Sequence, residues 1–351
     1  MESRFRSLAG TLRARLSLSV GLLLFSGILI AQDSAELNSL LGHVPPGSPY
    51  DPVAITRAFD LKVSRNPENA VRLLQRAANF GDPSAQTSLG YLYSIGEGVP
   101  KDDEQAVRWF QRAAVEHYAP AEYDLGVMLL QPGIHYDETA GAHWLIQAAQ
   151  RGLAPAQTNL AILFVNGIGV ARDEFRARRL LKQAANQHFA PAEFLLGTAY
   201  ESGTGGKKDP GQAARWYRKA AEQGCAEAQN NLAGLYRNGI SVTRNIDEAI
   251  KWYRLAAGQG EPTSYSNLMH IYADGRDLAP NYSEAYLWAL LALQNPSPYS
   301  KPISDEFINS LRNRLSAEDQ TRIEIEAQNW TNQRTHPKPL SLQATANSPS
   351  K

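Results

Sequence analysis

The sequence repeats itself at a nearly constant interval, and this feature constrains the fold more than any other. The segment KWYRLAAGQG at 251–260 is nearly a copy of RWYRKAAEQG at 215–224. The Ala-Ala pair in both recurs in steps of 36, 35, 36, 36 and 36 residues, at Ala77-Ala78, Ala113-Ala114, Ala148-Ala149, Ala184-Ala185, Ala220-Ala221 and Ala256-Ala257. A period of this length predicts a stack of small units, each of which packs mainly on its neighbours.

One helix of each unit, helix B, is delimited by its caps. Its predicted N-caps are Asn66, Asp102, Asp137, Asp173, Asp209, Asn245 and Asn281, because Asp and Asn accept a backbone N–H of the first turn. Its predicted C-terminal residues are Gly81, His117, Gly152, His188, Gly224 and Gly260, since Gly and His tolerate a positive φ. We therefore interpret the two histidines as caps rather than ligands.

Helix B also carries five of the six tryptophans in one column, at Trp109, Trp144, Trp216, Trp252 and Trp288. Large aromatic residues at helical spacing from small ones predict interlocked neighbouring helices. We expect these rings to be buried, so that Trp216→Ala would cost about 3 to 5 kcal/mol.

The other helix, helix A, shows a column of leucines at Leu89, Leu125, Leu160, Leu196, Leu232 and Leu268. The next position is mostly Gly or Ala, which allows helix B to approach closely. A two-helix unit of about 36 residues cannot cover its own apolar faces, so stacking is required. The sequence predicts an all-α fold, an α/α superhelical solenoid of about seven two-helix repeats with C-terminal capping helices.

The patterns A-x-x-x-L-G-x-L-Y-x-x-G-x-G-V and D-x-x-x-A-x-x-W-Y-x-x-A-A-x-x-G resemble those of the Sel-one-like repeat (SLR) family, over about residues 49–295. The resemblance implies an adaptor for proteins, peptides or cell-envelope components, usually without catalysis. Some cysteine-rich relatives have been described as penicillin-binding or β-lactamase proteins, which is the alternative function. Those relatives pair cysteines within repeats, whereas this chain has one cysteine, Cys225, and its one S-x-x-K lies in the C-terminal SPSK.

The two ends of the chain differ from the array. Arginines precede an apolar run at 16–31, which predicts a signal peptide or an uncleaved N-terminal anchor over residues 1–31. Either one predicts an exported protein, periplasmic or secreted, with any membrane contact made through residues 16–31. We expect a linker at 32–48, the repeats at 49–295, capping helices at 296–333 and a disordered tail at 334–351.

Charge and motifs narrow the choice of partner. Lys plus Arg equals Asp plus Glu at 35 each, so no bulk field favours nucleic acid. Neither H-E-x-x-H nor C-x-x-C occurs, and we expect no metal, cofactor or catalytic residue. The segment GTGGKKD at 203–209 is interpreted as the turn between two helices, with Asp209 as the next cap.

A ligand-binding column is predicted on helix A, one position before the leucines. It reads Ser88, Asp124, Asn159, Leu195, Asn231 and Asn267, so five of six copies carry a short hydrogen-bonding side chain. We expect these residues at the edge of a concave groove, where they could hold an extended peptide, with Tyr91 and His270 adding specificity at the two ends. The alternative is that they bond the backbone of the adjacent repeat.

Overall fold

The computed structural model describes residues 67–133, 135–296 and 302–335, and in these residues the chain is α-helical with no strand. The predicted signal peptide or anchor, the linker and the A helix of the first repeat lie outside the described residues. The helices are α1 (Pro67–Asn79), α2 (Pro83–Ile95), α3 (Asp103–Val115), α4 (Ala119–Leu129), α5 (Glu138–Gln150), α6 (Ala154–Asn166), α7 (Glu174–Ala185), α8 (Ala190–Ser202), α9 (Pro210–Glu222), α10 (Ala226–Asn238), α11 (Ile246–Gly258), α12 (Pro262–Ala273), α13 (Tyr282–Gln294), α14 (Asp305–Arg312) and α15 (Ala317–Thr335).

These helices form two compact units, which are described separately below. Of the described residues, unit 1 comprises those up to Ala192 together with Thr204–Gly206, and unit 2 comprises Glu193–Gly203 and those from Lys207 onward. In both units A helices (even numbers, α2 to α12) alternate with B helices (odd numbers, α1 to α13). The predicted all-α fold of two-helix repeats is confirmed.

The predicted caps of helix B are confirmed at every described copy. The side chains of Asp102, Asp137, Asp173, Asp209, Asn245 and Asn281 each accept a hydrogen bond from the backbone N–H three residues later. At the other end, His117 has φ 62° and His188 has φ 60°, in the same region as the glycines that fill this position in other repeats. Only a few residue types accept this conformation, so both histidines are caps, as predicted.

Close approach of helices A and B depends on the small residue that follows most of the leucines, as the sequence predicts. A Cβ added at Gly90 would lie 2.8 Å from the ring of Phe110, and one at Gly197 would lie 2.7 Å from the ring of Tyr217. The leucine column itself is buried in both units. These contacts fix helix A against helix B within a repeat.

The expectation that the tryptophan column is buried is wrong for most copies. Trp109 and Trp288 are buried, but Trp144, Trp216 and Trp252 are half-buried. The buried column lies one residue later, at Leu74, Phe110, Leu145, Leu181, Tyr217, Tyr253 and Ala289. One residue turns the side chain by about 100° around a helix, so the tryptophans sit at the margin of the core.

The last two helices pack on the end of the repeats in unit 2. Leu311 of α14 and Ile323 and Ala327 of α15 are buried in the same apolar cluster as Trp288 of α13. The Trp330 ring lies edge-on to Trp288, with 5.4 Å between ring centroids. The apolar face of the final repeat is therefore covered by α14 and α15. Helix α15 ends at Thr335, two residues beyond the boundary expected from the sequence.

Candidate binding surface

The predicted polar column lies on the A helices, and the two units contain different parts of it. Unit 1 contains Ser88 on α2, Asp124 on α4 and Asn159 on α6. Ser88 and Asn159 are half-buried, whereas Asp124 is buried. In unit 2, Leu195, Asn231 and Asn267 occupy the corresponding positions and are all half-buried. The column thus lies beside the buried leucines, partly open to solvent.

In unit 1 the column bonds across repeats. The Nδ2 atom of Asn159 donates to the hydroxyl of Tyr123, on the A helix of the preceding repeat, at 3.2 Å. Tyr123 is 4% exposed, and burial, followed by the charge of Asp124, raises its pKa above the usual range. The hydroxyl therefore stays protonated at physiological pH. Asn159 is half-buried, and its amide is held in one orientation by this bond.

Asp124 differs from its neighbours in the column. It is 9% exposed, and its Oδ1 atom is buried without a hydrogen-bond partner. Burial raises the pKa of this carboxyl to about 8 from an ordinary value of 3.8. A buried charge is unfavourable unless it is paired, so the carboxyl of the isolated protein is largely protonated at neutral pH.

In unit 2 the column forms a chain of amide contacts. Asn267 Nδ2 donates to Asn230 Oδ1 of the preceding repeat at 3.0 Å, and Asn230 Nδ2 donates to Asn231 Oδ1 at 3.3 Å. For Asn159 and Asn267 the partners are therefore side chains of the preceding repeat, not its backbone as the alternative expected.

The two residues predicted to add specificity lie in different units. Tyr91 is half-buried on α2 in unit 1, and burial, then Glu97 and then Asp124, raise the pKa of its hydroxyl. His270 is exposed on α12 in unit 2, with its Nδ1 atom 3.8 Å from an Asp274 carboxylate oxygen. A ligand-binding role for the seven predicted residues stays a prediction.

A second polar column on the A helices was missed in the sequence. Gln86, Gln157 and Gln229 are buried, and each donates to a backbone carbonyl of the preceding B helix, at Ala78, Ala149 and Ala221. The Oε1 atom of Gln157 then accepts from Gln187, and that of Gln229 from Gln259, each 30 residues later. This Gln ladder links one repeat to the next within each unit.

Two copies of the Gln ladder carry Glu instead, and the histidine caps occur in the same copies. In the sequence, His117 precedes Glu122 by five residues and His188 precedes Glu193 by five, whereas Gly stands at this position before each Gln. In unit 1, Glu122 is fully buried and both its oxygens lie 3.1 Å from the Nε atom of Arg151. His117 Nδ1 lies 3.8 Å from the same carboxylate. The pairing of Gly with Gln, and of His with Glu, five residues apart is the sequence signal that could have revealed the Gln ladder.

Metal-binding clusters and membrane-spanning helices are absent from the described part of the chain. Among those residues, no group of three or more His, Cys, Asp or Glu side chains is placed to hold a metal ion. No helix in the described ranges has the length and apolarity to cross a membrane. The segment GTGGKKD is an interhelical turn, and Asp209 caps α9 as predicted. The polar groups of the candidate binding surface are therefore the amides, the tyrosine hydroxyls and the one carboxyl described above.

Comparison with known proteins gives matches along most of the array. The Sel1 repeat family model matches seven segments, at residues 59–82, 83–114, 119–153, 154–189, 190–225, 226–261 and 266–296. The chain is similar to the crystal structure of a Sel1 repeat protein from Oxalobacter formigenes, with 29% identity, a TM-score of 0.62, and coverage of 71% of this chain and 98% of that one.

Two further relatives are more distant. The protective antigen c5321 of uropathogenic Escherichia coli, which displays an SLR fold, is 22% identical with a TM-score of 0.33, over 99% of both chains. The chitin synthase regulator SKT5 of Saccharomyces cerevisiae is 49% identical over 39 residues, which are 11% of this chain. The match spans only 6% of the length of that curated relative.

Proposed function

We propose that this chain, which belongs to the Sel1 repeat family, is a non-catalytic scaffold that binds a protein or peptide partner along the polar column of its A helices. Proteins of this family are generally protein-interaction scaffolds. We propose further that the protein works in the cell envelope, that its ligand is peptide-like, and that the residues of the column bind it.

One observation carries this proposal: the asparagines of the column are both oriented and partly open. Asn159 and Asn267 are half-buried, and each uses one amide hydrogen for a bond to the preceding repeat. A side-chain amide has two donor hydrogens and two acceptor lone pairs, so each can still bond a partner. Because their orientation is fixed before binding, less conformational entropy is lost when a partner docks.

Photo-crosslinking in cells tests this function directly. A photoreactive amino acid would replace Ser88 or His270 on A helices, and, as matched controls, the exposed Arg179 or Arg215 on B helices. We expect the A-helix positions to give a covalent adduct with a partner and the B-helix positions to give little of it. Adducts of equal yield at both sets, or at the B helices alone, would contradict the proposed surface.

Catalysis by the single cysteine is not part of the proposal. Burial, followed by the charge of Glu227, raises the pKa of Cys225 to about 12. The thiolate is the nucleophilic form of cysteine, and it is therefore scarce at neutral pH.

We further propose that the repeats work outside the cytoplasm. The support is the charged and apolar sequence at residues 1–31, which lie outside the described residues. Cell fractionation checks this: we expect the protein in the periplasmic, secreted or membrane fraction. Recovery of the full-length chain from the soluble cytoplasm would contradict it.

A further inference from the structure

Asp124 is the one acidic residue in its column, and its carboxyl has no partner in the fold. Within the described residues, no hydrogen bond or ion pair joins this side chain to another, and its Oδ1 atom is buried. At the matching positions Asn159, Asn231 and Asn267 carry the neutral amide of the same shape. Because an unpaired buried carboxyl destabilises a fold and an amide is tolerated in other repeats, the stability of unit 1 gives no reason for an acidic residue at this position.

Three tyrosine hydroxyls lie within electrostatic reach of this carboxyl. Its charge reaches the hydroxyls of Tyr91 on α2, Tyr118 at the start of α4 and Tyr123 on α4, and it raises the pKa of each, though burial is the larger cause in all three. Tyr91 and Tyr118 are half-buried, and both pack on the apolar cluster that contains Leu125, the residue after Asp124. A carboxyl among aromatic rings is complementary to a cation.

We propose that the surface around Asp124 binds an arginine side chain of the partner, with the guanidinium paired to the carboxylate beside Tyr91 and Tyr118. This inference rests on the scaffold function proposed above and specifies one feature of its partner. The proton that the buried carboxyl holds in the isolated protein is released to solvent when the guanidinium takes its place.

Arginine fits this surface better than lysine for physical reasons. The guanidinium is planar, stacks on aromatic faces and can give two parallel hydrogen bonds to one carboxylate. It is also more weakly hydrated than an ammonium group, so less hydration is lost when it enters a half-buried site. Ser88 and Asn159, the neighbours of Asp124 in the column, can bond the backbone on either side of such a residue.

The probe is capped arginine, acetyl-Arg-N-methylamide, with acetyl-citrulline-N-methylamide as the neutral analogue of nearly the same shape. Each is titrated into the ¹⁵N-labelled full chain and followed by NMR chemical shifts. We expect saturable shifts in α2 and α4 with the arginine probe, and binding weaker by about tenfold or more with citrulline, because a charge-assisted bond is lost.

Two variants sharpen the test. Asp124→Asn keeps the shape and supplies the residue found in three other repeats, so we expect it to fold and to bind the arginine probe about tenfold less tightly or worse. Asp103→Asn removes an equal charge from α3 and should bind as the unmodified chain does. Equal affinity for citrulline and arginine, equal affinity in Asp124→Asn, or no saturable shift in the unmodified chain would overturn the inference.

The scaffold function can survive that failure, and the two are separable. If crosslinks from Ser88 persist while Asp124→Asn retains the same adduct at the same yield, a partner binds the column but does not use an arginine at Asp124. If the crosslinks are absent while the arginine probe still binds in an Asp124-dependent manner, the cation site exists and the proposed scaffold surface is wrong.

Discussion

At the scale of single residues, Asp124 couples stability to pH. Burial raises the pKa of its carboxyl to about 8 in the folded protein, while the unfolded chain keeps the ordinary value of 3.8. The folded state therefore binds the proton more tightly. The stabilising contribution of this group is fully present below the unfolded pKa, and it is lost as the pH rises through the folded pKa.

We predict that Asp124→Asn removes this dependence. Between pH 5 and 7 the unmodified chain should lose up to about 1.4 kcal/mol of unfolding free energy per pH unit through this group. The variant should lose less over the same range and be the more stable protein at pH 8. Urea unfolding at several pH values, followed by circular dichroism, measures the difference. Parallel pH profiles for the two proteins would show that the carboxyl is not held in a buried, unpaired state.

Glu122 gives a second prediction at this scale. Its buried carboxylate is compensated by the partly exposed Arg151, and the equivalent residues in other repeats are Gln187, Gln223 and Gln259. Arg151→Ala should destabilise the protein by about 1 to 3 kcal/mol, because the buried carboxylate loses its main hydrogen-bond donor. Arg151→Gln should recover part of this, since Gln223 donates to Glu193 in the same way. If Arg151→Ala and the unmodified chain unfold at the same urea concentration, the contact between Arg151 and Glu122 does not stabilise the fold.

At the level of one helix, Trp216 and Tyr217 are adjacent aromatic residues of α9 that differ in burial. Tyr217 is fully buried against Gly197, and its hydroxyl bonds Glu201, whereas Trp216 is half-buried under Lys219. We predict a cost of about 3 to 5 kcal/mol for Tyr217→Ala and about 1 to 2 kcal/mol for Trp216→Ala. Denaturant unfolding of both variants checks this, and a larger loss for Trp216→Ala would reverse the assignment of the core column.

The caps and the period could be predicted from sequence because they are local. Asp209 needs only the next three residues to act as an N-cap, and His117 needs only its own backbone. The depth of Trp216 could not be predicted, since it depends on which side of helix B faces the neighbouring hairpin. The Gln ladder was also missed, because Gln157 finds its second partner 30 residues away, in the next repeat.

The candidate column was only partly predictable for the same reason. Its position beside the buried leucines follows from helical geometry, and the structure places Asn159 and Asn267 there, half-buried. Their bonds to Tyr123 and Asn230 join residues 36 and 37 positions apart, which no single repeat reveals. The burial of Asp124 was likewise invisible, since one Asp among asparagines reads as an ordinary polar position.

Across the chain, a repeat array should transmit a local defect only to neighbouring repeats. We predict that Tyr217→Ala speeds amide hydrogen exchange mainly in residues 193–238, which surround the lost side chain in unit 2. Exchange in α2 to α5 of unit 1 should change little. Uniform acceleration from α1 to α15 would mean that the protein unfolds as one cooperative body and not as coupled repeats.

Hydrogen exchange of the complex with the partner that crosslinking identifies shows whether the A helices carry the binding surface. We predict slower exchange at the A-helix segments around Ser88, Asp124 and Asn159, or around Asn231 and Asn267, with little change in the B helices. Replacing Asn159, Asn231 and Asn267 together by Ala should remove this protection while the protein stays folded. Protection confined to B helices, or unchanged in the folded triple variant, would contradict a binding surface on the A helices.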